Sequence, residues 1–531
     1  MIVAIIMSGG LFLISRIKER QITNQNNKII SPKSALSKKM TDPPKKDLVE
    51  SSCKIKEATC RDCNLILLSV DSLRADHMSA YGYERQTTPN FDRLAEKGAL
   101  FSNYYSTSFL TPVSEMSVHS GMYPSAHGVT NFDTVLSGNI ETLAQFVKNN
   151  GYYTAAFISS PEFEGNPALK QSFSRGFIEY NRMDVDSEHN IISIREFPNS
   201  SMISGSIEKL SAKNKFFWWI AVGGVHWPYG ASWTNDIYSD RDYQGFFNGI
   251  KEEYGLSWPV FKDIYKGILY PGKTELTDQD IQYVRDLYDN GVRAFDDFLG
   301  VFINELKDRN LLENTIIVIQ SEHGEDLHEH GYFAHYDILD TQTHTPLLII
   351  FPGIEQGCVI SSLASSVDIL PTMLELIEQK SLSQIQGQNL LPYIIGANEN
   401  NSNSQVFMER NPLWEETTQV RPKVEEQGIN VGEDRHKDIA IRTPKWKYIW
   451  RMSAKQMEKI SWWQIASGKK IDFPEAELYD LENDPFETRN VLDKHPNEAA
   501  DLRKRLEAWW ADTSKKSPKN VEIKSVIQPY F

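Results

Sequence analysis

The chain has 531 residues, 40% of them hydrophobic and 24% charged, and a formal net charge of −15. That length accommodates one large α/β domain plus a smaller one, and the composition excludes a wholly disordered chain. Residues 16–56 carry eleven Lys/Arg against four Asp/Glu, so the remainder is more acidic than the total. An acidic body excludes a nucleic-acid backbone as the main partner. A site for an anionic ester on such a surface requires local neutralisation, most simply by a metal ion.

The N-terminus, "MIVAIIMSGGLFLIS" (1–15), is an apolar run shorter than the ~20 residues of a bilayer span. It reads as a signal-peptide core or a membrane anchor, with a buried helix as the alternative. No Lys or Arg precedes it and Arg16, Lys18 and Arg20 follow it, a charge order opposed to export. Residues 16–62, with "SPKSALSKKMTDPPKK", read as a basic polar linker. Three of the four cysteines lie in "CKIKEATCRDC" (Cys53, Cys60, Cys63) and the fourth is Cys358. A small disulfide ahead of the first strand, or free thiols, fits better than a zinc site, which would need a second pair. A disulfide accords with an extracytoplasmic location.

The folded body is expected to begin at Cys63. "NLILLSVD" (64–71) is a continuous apolar run closed by an Asp, the pattern of a buried parallel strand whose end carries a carboxylate into a crevice. Similar runs recur at 215–224, 315–324 and 345–353. Helical patterns at 88–98, 139–151 and 276–309 lie between them. This alternation predicts an α/β fold with a large, mixed, mostly parallel sheet sandwiched by helices. Beyond residue 400, "KDIAIRTPKWKYIWRM" and "ELYDLENDP" read as antiparallel strands and "PNEAADLRKRLEAWWADT" as a closing helix. Residues 401–531 thus form a smaller α+β subdomain.

Asp71 closes the first strand and is followed by "SLRADHMSAYGY". Alone it reads equally as a helix cap or hydrogen-bond partner. "QSEHGEDLHEHGYFAH" (320–335) then delivers Glu322 and His323 at a second strand end, with His328, His330 and His335 close behind. Carboxylate and imidazole at strand ends make a half-site for a divalent cation. The spacing does not fit the His-Glu-x-x-His helix of a metalloprotease. Thr111, in "FLTPVSEMSVHSG", reads as a helix N-cap with Pro112 at the first helical position, a reading compatible with a nucleophile beside an anion.

Asp71, "TPVSEMSVHSGMYPSAHG" and "SEHGEDLHEHGYFAH" together resemble the sulfatase family of the alkaline-phosphatase superfamily. "TPLLIIFPG", "SVDILPTMLEL", "AIRTPKWKYI" and "ELYDLENDPFETRNVL" resemble its later landmarks in order. The resemblance covers nearly all of residues 63–510 and implies a catalytic domain over 63–400. It implies that Asp71, Glu322 and His323 hold one divalent metal ion together with Thr111. His226 in "GGVHWPYG", and His335, twelve residues after His323, are implied to meet the substrate's charged oxygens or its leaving group.

Departures from the family pattern narrow the chemistry. The nucleophile of the family lies ten residues before the Gly of its Thr-Gly motif, as a Cys or Ser oxidised to formylglycine. Ten residues before Gly121 is Thr111, so formylglycine is not expected. Ser72 stands in place of a second Asp, Glu115 in place of Arg, and Glu322 in place of Asp. A Thr hydroxyl activated by a cation remains a workable nucleophile. In relatives with two metals, an Asp stands four residues before the strand-end His; here Val222 stands there, which favours a single ion. An oxygen-rich donor set points to a hard cation, Ca2+ foremost, with Mg2+ or Mn2+ as alternatives.

The expectation is a metal-dependent hydrolase of sulfate esters acting on a small anionic ester or a sulfated glycan. A phosphodiesterase, phosphonate monoester hydrolase or phosphoryl-group transferase is the first rival, and a catalytically degenerate binding protein the second. If the N-terminal run is an anchor and not a signal peptide, it also implies membrane attachment. The aromatic-rich segment 228–275 either packs a lid or stacks on a sugar.

Overall fold

The structure, a computed structural model, describes residues 50–159, 162–182, 197–198, 200–223, 225–226, 229, 236–247, 276–397, 404–411, 437–451 and 474–518. The apolar run 1–15 and most of 228–275 lie outside the described residues. Among those described, no helix is long and apolar enough to cross a membrane.

In chain order the strands of the larger part are β1 (Lys54–Ile55), β2 (Asn64–Val70), β3 (Ala99–Tyr105), β4 (Tyr153–Ile158), β5 (Glu179–Arg182), β6 (Phe216–Val222) and β7 (Thr315–Gln320). A short pair, β8 (Asp326–Leu327) and β9 (Phe333–Ala334), precedes β10 (His344–Ile350), β11 (Ile354–Gln356), β12 (Cys358–Ile360) and β13 (Ala364–Ser365). The main sheet has the order β12-β3-β10-β7-β2-β6-β4-β5, with β13 also paired to β3. β2 lies at its centre, parallel to both β6 and β7.

The apolar runs follow from burial on both faces. In β2, Leu65 and Leu67 join one core while Ile66, Leu68 and Val70 join the other. Side chains alternate across a strand, so a strand covered on both sides has no polar position to show. One face is covered by helices α1 (Pro89–Ala95), α4 (Ser200–Ser211) and the 31-residue α5 (Asp278–Asp308). The other is covered by α2 (Thr111–Ser120), α3 (Leu143–Asn149) and α6 (Ile369–Leu376). The expected mixed, mostly parallel sandwich is present, and its antiparallel member is β10, whose run resembles its neighbours' but which is antiparallel to both β3 and β7. An apolar run encodes two-sided burial and carries no direction.

The linker expected over 16–62 requires correction at its C-terminal end. From Ser51 the chain is laid onto the body: Ser51 N donates to Val359 O at 3.1 Å and Cys60 N to Leu376 O at 2.7 Å. β1 pairs with β11, and Cys53 is disulfide-bonded to Cys358, 305 residues away. Backbone hydrogen bonds and a covalent link hold this strap, neither of which depends on an apolar pattern. The small disulfide expected before β2 is Cys60–Cys63.

The C-terminal sheet is antiparallel, in the order β14 (Val406–Arg410), β15 (Asp438–Arg442), β16 (Trp446–Arg451), β17 (Ala476–Asp480). Helix α7 (Pro496–Thr513) covers its outer face through Leu502 and Leu506 against Ile439, Ile441 and Leu478. The inner face, with Met408, Ala440 and Ile449, packs on Phe109, Leu110, Val113, Ile338 and Leu339. The small sheet thus buttresses the two segments that carry Thr111 and His335.

Candidate active site

Parallel strands β2 and β7 end side by side, so Asp71 and the Ser321–Glu325 segment leave the sheet at one edge. Asp71 N donates to Val222 O at 2.8 Å, which ties it also to β6. Ser72 then takes φ 62°, and its hydroxyl donates to Asp71 Oδ1 at 3.0 Å. A left-handed serine costs roughly 1–3 kcal/mol and is held only where neighbours enforce it. Gly324 has no room for a side chain, since a Cβ there would lie 2.4 Å from Thr341 O.

Thr111 requires a correction. Leu110, with φ −104° and ψ 122°, is the N-cap of α2 and makes no side-chain capping bond; Thr111 is the first helical residue. Its hydroxyl is therefore free to turn toward the sheet edge, where Oγ1 and His323 Nε2 share a hydrogen bond of 2.9 Å. Gly121, at φ 65°, closes the helix in the left-handed conformation.

The state of His323 follows from its partners. Nδ1 lies 3.0 Å from Gly324 O, and a carbonyl only accepts, so Nδ1 carries the proton. Nε2 then presents a lone pair toward Thr111 Oγ1, with Asp71 Oδ1 at 3.5 Å. Burial lowers this imidazole to about 4 against the opposing pull of Asp71, keeping it neutral as a ligand must be. Backbone anchoring of the other ring nitrogen is typical of metal-bound histidine.

Glu322 is buried, and its Oε2 has no hydrogen-bond partner. Burial, then the charges of Asp71 and Glu115, push its carboxyl well above the usual range. Asp71, Glu322 and His323 present ligand atoms all within 4.8 Å of one another. Beside them Ser69, Asp71, Thr111, Glu115, Val222 and Glu322 line a small cavity with about 10 Å³ for the centre of a water-sized sphere, room for a single occupant. Converging carboxylates, an orphaned oxygen and a lone pair on a neutral imidazole fit a divalent cation. Glu115 itself accepts from Ser69 Oγ at 2.8 Å and Gln320 Nε2 at 3.1 Å, with His119 Nε2 at 3.3 Å.

His226 and His335 come together next to this group, Nε2 to Nε2 at 3.2 Å, and the His335 ring lies 4.1 Å from that of His323. Ala334, at φ 78°, aims His335 inward. Burial, then the neighbouring His323 and His226, hold the His335 imidazole well below its ordinary value. His328 and His330 stay outside: His330 pairs with Asp326 and Phe486 O.

Glu325 completes the pocket and was not singled out from the sequence. It is fully buried, Tyr229 donates to its Oε2 at 3.0 Å, and burial raises its carboxyl to about 7. Its only sequence signal is a carboxylate two residues beyond His323, and the turn that returns it to the site leaves no spacing pattern.

Donors converging at one edge of a helix-sandwiched mixed sheet mark this as the candidate active site. The model of the Sulfatase family matches residues 63–379, and the chain belongs to that family. Residues 328–450 match the C-terminal region of N-sulphoglucosamine sulphohydrolase. The chain is 25% identical over 477 residues to an ulvan-active sulfatase of Formosa agariphila, covering 84% of this chain and 74% of that protein. It is 23% identical over 466 residues to arylsulfatase K of Gallus gallus, covering 83% and 81%. Among solved structures, a phosphonate monoester hydrolase of Agrobacterium radiobacter aligns with a TM-score of 0.65 at 19% identity, over 85% of this chain and 96% of that one. A structure in complex with its substrate D-glucosamine-2-N,6-O-disulfate aligns at 0.61 and 20% identity, over 86% and 100%.

Proposed function

We propose that the chain hydrolyses sulfate esters of sulfated saccharides, with Thr111 as nucleophile. The carrying observation is the 2.9 Å approach of Thr111 Oγ1 to the lone pair of His323, beside Asp71 and Glu322. Asp71, Thr111, Glu322 and His323 would hold one divalent cation, Ca2+ first and Mg2+ or Mn2+ as alternatives. When bound, such an ion lowers the hydroxyl's pKa and neutralises the ester's oxygens.

Thr111 sits at the start of α2, where the backbone N–H groups welcome an anion. Its hydroxyl gives up its proton and its oxygen forms the new bond to sulfur as the bond to the leaving alcohol breaks, that proton balancing the one the leaving oxygen takes up. The leaving oxygen takes up a proton on the side lined by His226 and His335, and water then releases the group from Thr111. Formylglycine has no part in this reading, because Thr is not the Cys or Ser from which it is made. The curated sulfatase relatives and the saccharide disulfate bound by a structural neighbour support a sulfated glycan as substrate. The two disulfides support an extracytoplasmic location, with residues 1–15 as signal peptide or membrane attachment.

A phosphoric ester is the second reading, favoured by the unmodified hydroxyl at position 111 and the fold shared with phosphonate monoester hydrolases. A binding protein with a degenerate site is a third, favoured by Ser72 in place of a carboxylate. Side-by-side assays of aryl sulfate, sulfated saccharides, phosphate monoester, phosphodiester and phosphonate, each with Ca2+, Mg2+ or Mn2+, separate them. Turnover of a sulfate ester is expected. Turnover of only the phosphorus esters would move the assignment to the second reading, and none at all to the third.

A further inference from the structure

We propose that a groove in the C-terminal subdomain, lined by Trp446, binds a neutral saccharide. The groove shares no residue with the pocket around Thr111, and the inference stands whether or not Thr111 is a nucleophile.

The groove, of about 750 Å³, opens where the turn joining β15 to β16 meets the start of β14 and the N-terminal half of α7. That volume lies within the range of small-molecule sites. It sits at the opposite end of the small sheet from Arg410 and Arg451, which reach Tyr336 O and Asp337 beside His335.

Trp446 begins β16 and is fixed by its turn. Its N–H donates to Thr443 Oγ1 at 3.0 Å, its carbonyl accepts from Thr443 N at 2.8 Å, and Leu481 N donates to Lys445 O at 2.8 Å. The indole is half-buried, with the His495 ring centred 4.8 Å from it. A flat apolar ring held by a turn loses little freedom on binding and matches the C–H face of a sugar.

Around the indole stand groups of both hydrogen-bonding senses. Arg505 is forked between Gln405 Oε1, 2.8 Å from its Nε, and Asp501 Oδ2, 3.3 Å from Nη1. Among the described residues the Gln405 amide nitrogen and the Asn497 side chain make no hydrogen bond, so both remain available to hydroxyl oxygens. The Glu498 and Asp501 carboxylates accept from hydroxyl protons. Asp501 already matches the charge of Arg505, and Glu498 adds a further negative charge, so a sulfated or otherwise anionic unit is disfavoured. A cation is disfavoured too, because Lys445 Nζ already stands 5.2 Å from the centre of the indole. A neutral ring with many hydroxyls suits the aromatic face and the mixed rim together.

The test is native electrophoresis of the purified full chain through gels cast with dextran, xylan, laminarin or galactomannan, and with dextran sulfate or polylysine for comparison. Retardation by at least one neutral polymer is expected, kept in Thr111→Ala and weakened about tenfold or more in Trp446→Ala. Retardation unchanged in Trp446→Ala would overturn the groove as the site. Retardation by none of the neutral polymers would overturn the proposal, and binding of dextran sulfate or polylysine alone would move the groove to an anionic or a cationic partner. Far-UV circular dichroism checks each variant's fold. Should Trp446→Ala not fold, Asn497→Ala combined with Asp501→Ala, both at exposed positions, takes its place with the same direction of change expected.

Discussion

The hydroxyl of Thr111 and Nε2 of His323 lie 2.9 Å apart, joining the first turn of α2 to the end of β7 across 212 residues of chain. Because Nδ1 of the same ring is committed to Gly324 O at 3.0 Å, the ring cannot turn away without breaking a second bond. Thr111→Ala is expected to lower kcat by about 10³-fold or more, the scale seen when a nucleophile is removed. Thr111→Ser should retain most activity, and both variants should melt within about 1 kcal/mol of the parent. Steady-state kinetics on the preferred ester decides it, and an active alanine variant would remove Thr111 from the nucleophile's role.

Glu322 makes cation binding depend on pH. Its carboxyl is held well above the usual range by burial and by Asp71 and Glu115, so a cation must displace a proton. Affinity should therefore fall as pH falls. In the metal-free chain the sign for stability is the opposite. A folded pKa raised above the unfolded value of about 4.3 contributes stability that is fully present below that value and is lost as pH rises through the folded pKa. Calorimetric titration and melting curves across pH should show affinity rising, and metal-free stability falling, toward neutral pH. Glu322→Gln should flatten both slopes.

Arg451 reaches from β16 to Asp337, two residues beyond His335, with bonds of 2.6 and 2.8 Å, and also to Glu477 at 2.7 Å. Burial alone would raise the Asp337 carboxyl, but the Arg451 guanidinium outweighs it and holds it at about 2. This contribution to stability is present above the unfolded Asp value of about 3.9 and is lost as pH falls through the folded value. Arg451→Met should cost about 3–5 kcal/mol by leaving buried carboxylates unpaired. Asp337→Asn should remove part of the acid-side loss. Chemical denaturation at several pH values measures both.

Cys53–Cys358 closes a loop of 305 residues. Cys53→Ser with Cys358→Ser should lower stability by about 2–4 kcal/mol and expose Ser51–Cys60 to protease, with the main sheet intact. Limited proteolysis followed by mass spectrometry of the N-terminal fragments reports this. An unchanged digestion pattern would show that the hydrogen bonds from Ser51 and Cys60 suffice without the bridge.

Removing divalent ions should abolish turnover. Restoring an ion at about 100 times its Kd should stabilise the fold by about 2.7 kcal/mol. The shift should be absent in Asp71→Asn, as thermal melts with and without chelator would reveal.

Much of the scaffold was legible because burial leaves a periodic trace. The runs of β2, β6 and β7 mark strands covered on both faces, and the pattern of α5 marks a helix with one buried side. Asp71, Glu322 and His323 were legible as site candidates because each stands where an apolar run stops at a sheet edge. The direction of β10 was not, since hydropathy is the same read either way. The strap from Ser51 to Cys60 was missed because backbone hydrogen bonds are indifferent to side-chain composition.

The sequence by itself determined the layers, the strand ends and the polar groups available at them, because these depend on local apolar period and on where it breaks. Only the tertiary structure decided which groups meet. Thr111 faces His323 once α2 starts at Thr111 itself, with Leu110 as its cap. Glu325 joins His226 and His335 because a turn through Gly324, too crowded for any side chain, returns it to the pocket. Those encounters are set by packing between segments hundreds of residues apart, and no local pattern in the chain records them.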